Sequence, residues 1–102
     1  MSDARWKRHE RRTAEAFDGA RLPRTGRTGR DVSTEGGAYS WLCIECKDRA
    51  RLPDYLHKGM AQAVADAGPD ELPVVVLHQR GMRAESDYVC LRRADFVEWF
   101  GD

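Results

Sequence analysis

No stretch of this chain approaches the roughly 20 consecutive apolar residues of a membrane-spanning helix. The first ten residues, MSDARWKRHE, contain no apolar signal region either. Both absences predict a protein that works inside a cell, in a reducing compartment. Cysteine is scarce: Cys43, Cys46 and Cys90 are the only three, an odd number that makes no disulfide framework. Cys43 and Cys46 do have C-x-x-C spacing, but no second cysteine pair or His-x-x-x-His partner completes four zinc ligands. On a strand an offset of three sends the two side chains to opposite faces, so both are read as small strand residues. His9, His57 and His78 show no ligand spacing and are assigned to surface or core positions.

Net charge is absent too, since 17 Lys and Arg balance 17 Asp and Glu. The balance hides an asymmetry. Residues 1–30 hold nine basic and four acidic residues, and residues 31–102 hold eight basic and thirteen acidic. A basic half of this kind suits an anionic partner, nucleic acid being the usual one, although a solvated basic helix shows the same bias. With 102 residues the chain is expected to form a single domain over residues 1–102, with an economical core.

The pattern predicts an α/β fold. A first helix, capped by Ser2 or Asp3, runs to about Phe17, with Trp6, Thr13, Ala14 and Phe17 on one face. Asp18-Gly19 closes it, and Ala20 to Arg24 forms a short extended piece. RTGRTGR, residues 24–30, holds three arginines, two threonines and two glycines without an acid. It reads as a basic loop whose glycines let the backbone approach phosphate while Arg24, Thr25, Arg27, Thr28 and Arg30 supply donors. Asp31-Val32 opens a brief strand, STEGG turns the chain, and Tyr39 to Lys47 is the principal strand. A second helix starts at Arg51-Leu52-Pro53-Asp54, carries Leu56, Met60, Ala63, Val64 and Ala67 as its buried stripe, and stops at Gly68-Pro69. PVVVLHQ, residues 73–79, suits a strand covered on both faces. It pairs across RGMRAES with a strand at Asp87 to Leu91, and a helix at Ala94 to Phe100 ends the order.

Three carboxylates stand out. Glu10 falls inside the apolar stripe of the first helix, where a charge needs an ion-pair partner or a metal. A hairpin across STEGG brings Asp31 beside Glu45, and two carboxylates held together repel unless a cation lies between them. Mg²⁺ takes oxygen ligands of this kind, usually one or two carboxylates with waters and a substrate phosphate. On the strand Cys43, Glu45 and Lys47 share one face, so Lys47 stands beside Glu45. A plain surface ion pair explains Glu-x-Lys equally well when it is taken alone.

The set Glu10, Asp31 and Glu45-Cys46-Lys47 resembles the PD-(D/E)xK nuclease superfamily. RLPRTGRTGRDV followed by IECK is most similar to its small Holliday-junction resolvases. The resemblance runs from about Trp6 to Leu77, with Arg30 where the family usually has proline. It implies a restriction-endonuclease-like mixed β-sheet flanked by helices. It also implies a Mg²⁺-dependent endodeoxyribonuclease (Mn²⁺ serving the same site) that hydrolyses phosphodiesters in branched DNA during recombination and repair. Asp31, Glu45 and the backbone carbonyl of Cys46 would hold the metal, and Glu10 would contact a metal-bound water or a second metal. Lys47 would act on the attacking water, Arg24 and Thr25 on the scissile phosphate, and Gln62 would support the site. Symmetric cleavage of a junction needs two active sites, so a homodimer is expected, its interface built from PVVVLHQ or from the final helix. A nuclease acting on nicks, flaps or duplex, and a non-cleaving DNA-binding module of the same fold, are the alternatives. Either setting, a prokaryotic cell or a virus-infected cell, suits the expected intracellular location.

Overall fold

In a computed structural model, which describes residues 4–22 and 30–101, the first helix α1 spans Arg5–Ala16. Its buried residues are Glu10, Thr13 and Ala14, spaced three and four apart as one helix face requires. Ala4 occupies the cap position without a side-chain bond, and Ser2 and Asp3 lie outside the described residues. Trp6, expected in the core, is 44% exposed.

The end of α1 follows from Asp18-Gly19, as expected. Asp18 adopts a positive φ of 53°, its N–H donates to the Glu15 carbonyl, and the Gly19 N–H donates to the Ala14 carbonyl at 2.8 Å. This 6→1 and 5→2 pair is a Schellman closure. Gly19 itself is required because a Cβ there would collide with the Ser33 carbonyl oxygen. Gly19→Ala is therefore expected to cost about 1–3 kcal/mol of stability, read as a lower urea midpoint. An unchanged midpoint would show that the Ser33 carbonyl moves aside without cost.

The chain forms two compact units, one within residues 1–50 and one spanning Arg51–Phe100, with Gly101 joining the first. In the first unit β1 (Ala20–Arg21) pairs antiparallel with β2 (Val32–Ser33), with Arg21 opposite Val32. The Leu22 N–H also donates to the Asp31 carbonyl at 2.9 Å. Arg24, Thr25, Arg27 and Thr28 fall between these strands, outside the described residues. The core is small: Ala14, Val32, Thr34 and Tyr39 are buried, and the Phe17 ring meets Tyr39 edge-on at 5.2 Å.

The expected principal strand over Tyr39 to Lys47 does not form. Turns occupy residues 35–36 and 38–41, and only Ile44 bridges to Val32. A two-residue β2 offers too little edge for a longer ladder, and the Asp31 carboxylate captures the Cys46 N–H at 2.8 Å. The chain stays extended here, because exposure alternates residue by residue from Leu42 to Arg49.

In the second unit α2 (Asp54–Asp66) begins after Pro53 and ends before Gly68-Pro69. Leu56, Met60, Ala63 and Val64 are its half-buried residues, together with Gly59, and Ala67 just past its end is half-buried too. Gly59 lets the helix approach Val75, whose methyls would touch an added Cβ at 3.4 and 3.5 Å. β3 (Val75–Leu77) pairs antiparallel with β4 (Tyr88–Cys90), and α3 (Arg93–Phe100) follows. The Val-rich strand is not covered on both faces: Val76 and its partner Val89 are exposed.

Among the described residues the architecture is thus α/β, with three α-helices and two separate two-stranded antiparallel sheets. The single mixed sheet expected from the sequence is not formed among the described residues, since β1–β2 and β3–β4 share no pairing. No described helix is long and apolar enough to cross a membrane.

Candidate functional site

Glu10 is placed by helix periodicity on the inner face of α1 and is 7% exposed. Its Oε1 accepts a bond from Arg21 Nε at 2.6 Å. The Arg21 guanidinium also lies 5.4 Å from the centre of the Trp6 ring, a cation–π distance. The buried carboxylate therefore has the ion-pair partner that its position in the stripe demanded. Arg21 comes from β1, eleven residues further along the chain.

Asp31 precedes β2 and is 5% exposed. It holds three backbones together. Its carbonyl accepts from Leu22, its N–H donates to the Ile44 carbonyl at 3.2 Å, and its Oδ2 accepts the Cys46 N–H. The antiparallel bridge between Val32 and Ile44 sets Asp31 opposite Glu45 in register. Glu45 and Lys47 emerge together as expected, with Lys47 Nζ 3.4 Å from Glu45 Oε1. Both side chains are more than half exposed.

An open cleft of about 330 Å³ gathers these positions. Trp6, Glu10, Asp31, Cys46, Lys47 and Arg49 are among its lining residues. Segments around residues 10, 31 and 47 thus supply two buried carboxylates and one lysine to one concavity. Glu45 is not part of that lining; its carboxylate turns to Lys47 at the solvent side. Gln62 belongs to α2 in the other unit, is exposed, and donates to Asp66 Oδ2 at 2.9 Å within its own helix. Arg30 is exposed beside Asp31.

Among the described residues no group of three or more His, Cys, Asp and Glu side chains is gathered to hold a metal ion. The expected three-carboxylate set is therefore not gathered; of the three, Glu10 and Asp31 line the cleft. Each of the two spends one oxygen on a protein donor and leaves Glu10 Oε2 and Asp31 Oδ1 without a bond among the described residues. Two hard oxygen donors beside room for water and a phosphate suit Mg²⁺ or Mn²⁺, which bind through one or two carboxylates.

Cys46 sits among the acids. Burial pushes its thiol above the ordinary value, a hydrogen bond with Thr13 pulls the other way, and the charges of Asp31, Glu10 and Glu45 push it further up. A raised thiol pKa keeps Cys46 neutral at pH values where an ordinary cysteine begins to ionise. Maleimide labelling is expected to modify exposed Cys43 first, with Cys46 reacting only at higher pH. Glu10→Gln should shift the Cys46 profile toward lower pH, and equal rates for the two thiols at pH 7–8 would contradict this placement.

Sequence reasoning missed Thr13, Trp6 and Arg21 as parts of this site. The signal for Thr13 was present, since it follows Glu10 by three residues and shares its face. Arg21 carried no such mark, because its register against Val32 depends on the pairing of β1 with β2. No protein-family model, no curated protein and no solved structure matches this chain.

Proposed function

We propose that the chain is a metal-dependent endodeoxyribonuclease of the PD-(D/E)xK type, cutting branched DNA as Holliday-junction resolvases do. It would act as a homodimer on DNA inside a prokaryotic or virus-infected cell. One observation carries this reading: Glu10, Asp31 and Lys47, remote in sequence, line one cleft at the end of β2. Asp31 and Glu10 would hold Mg²⁺ through their remaining oxygens. The bound ion would polarise the phosphoryl oxygen and lower the pKa of water. Arg21 fixes Glu10 from behind, and the Cys46 N–H fixes Asp31, so neither carboxylate must reorganise when substrate arrives. Lys47 brings positive charge to the position where negative charge develops on the phosphate. Arg30 and the basic segment before it neutralise the flanking backbone.

A second reading has its own support. The Glu10–Arg21 and Glu45–Lys47 ion pairs balance charge without any metal, which suits a DNA-binding module that does not cut. The test is cleavage of four-way-junction, linear-duplex and flap DNA, in Mg²⁺ or EDTA, by wild type and Lys47→Ala. Paired symmetric nicks on the junction alone, lost in EDTA and in the variant, are expected. Cutting of flap or duplex would keep the site and change the substrate. Salt-sensitive binding without cutting of any DNA would sink the nuclease and leave the binding module.

A further inference from the structure

The outer face of α1 holds a charge arrangement that folding does not account for. Arg5, Arg8, Arg11 and Arg12 surround one open surface depression, and all four are exposed. Among the described residues Arg5, Arg8 and Arg12 form no ion pair. Arg5 and Arg8 are three apart and Arg8 and Arg12 four apart, the spacings at which like charges oppose a helix. The first turn carries no acid, so Arg5, Lys7 and Arg8 also oppose the helix dipole. A polyanion laid along this face removes both penalties.

Direction decides which polyanion. Two residues along a helix turn the side chain by about 200°, so Arg8 and Arg12 point away from Glu10 and hence from the cleft. A run of phosphates entering the cleft does not meet this face. Arg5 to Arg12 covers about 10 Å of helix axis, while a duplex presents one charge per roughly 1.7 Å of its own axis. Guanidinium groups bind phosphate oxygens in forked geometry and keep their charge at any working pH.

We propose that the arginine face of α1 is a second DNA-backbone surface, holding a duplex arm other than the one whose phosphate lies in the cleft. This rests on the nuclease reading above and gives it a reason for branched substrates. One DNA reaching both faces binds with an effective concentration that linear duplex, using either face separately, does not gain.

The test compares wild type with Arg5→Gln/Arg8→Gln/Arg12→Gln and with the matching triple Arg→Lys. Binding to a four-way junction and to a linear duplex of equal length is measured in EDTA across a salt series, so that no cutting intervenes. The Gln triple is expected to weaken junction binding about 100-fold and to lower the salt slope by about 2–3. Duplex binding should change only a few-fold, and the Lys triple should recover most of the junction affinity. The melting temperature of the Gln triple should stay or rise, because repulsion in the helix is relieved. Unchanged junction affinity and slope would overturn the second surface while leaving wild-type cleavage, and thus the nuclease reading, intact. Equal losses on junction and duplex would overturn the separate arm. Wild type that neither binds nor cuts any DNA would remove the nuclease reading and this surface with it.

Discussion

If the chain is the nuclease proposed above, replacing Lys47 with alanine is expected to lower Mg²⁺-dependent cleavage by about 10²–10³, with little change in folding. The two halves of this expectation come from different observations. The Lys47 side chain is 63% exposed and its partner is the exposed Glu45 carboxylate, 3.4 Å away. Exposed pairs of this kind contribute about 0–1 kcal/mol, so the melting temperature should move by no more than a few degrees. Activity is different, because Lys47 shares the cleft with Glu10 and Asp31. A positive charge aimed at the reacting phosphate acts in the transition state, where one preorganised donor is worth about 3–4 kcal/mol. Lys47→Arg keeps the charge but replaces a compact ammonium with a broad planar group, and partial activity is expected. Full activity in Lys47→Ala would remove lysine from the chemistry and leave Glu45–Lys47 as a surface pair.

Asp31 separates structure from chemistry in another way. Asp31→Asn keeps an amide oxygen that accepts the Cys46 N–H, so stability should fall by less than about 1 kcal/mol. It removes the negative charge, and Mg²⁺-dependent cleavage should drop by at least about 100-fold. Asp31→Ala removes both the acceptor and the negative charge. The Cys46 N–H is then left without its acceptor at a part-buried position, a cost of about 1–3 kcal/mol. For a unit of this size that is a fall in melting temperature of roughly 4–20 °C. The informative comparison is Asn against Ala. Equal activity losses with unequal stability losses are expected. An active Asn variant would mean that Asp31 is only the staple joining Leu22, Ile44 and Cys46.

Helices were largely legible in the sequence because one face suffices to specify them. Glu10, Thr13 and Ala14 follow the 3.6-residue period, and Asp18-Gly19 marks the stop by its backbone requirement. The half-buried stripe of α2 and the pairing of β3 with β4 were legible for the same local reasons. The sheet was not, because a strand depends on a partner elsewhere in the chain. Tyr39 to Lys47 has the composition of a strand, yet β2 offers only Val32 to pair with Ile44. The valines of PVVVLHQ looked like a run buried on both sides, while their sheet has two strands. At the site, the choice between an ion pair and a metal for Glu10 could not be made without Arg21. Its Oε1 pairs with Arg21, and among the described residues its other oxygen makes no bond.

The hydrogen bond from Leu22 to the Asp31 carbonyl has a meaning for how such a protein changes over time. It closes the β1–β2 pair at the point where the basic segment leaves and returns, so the eight residues from 23 to 30 are spliced between two anchored ends. Closing such an excursion costs only about 0.6 kcal/mol more for each doubling of its length. Insertions, deletions and transplanted segments at this position are expected to leave the pairing of β1 with β2 in place. The position is a natural exchange point, where a lineage or an engineer can change the length and charge of the chain between two anchored strands.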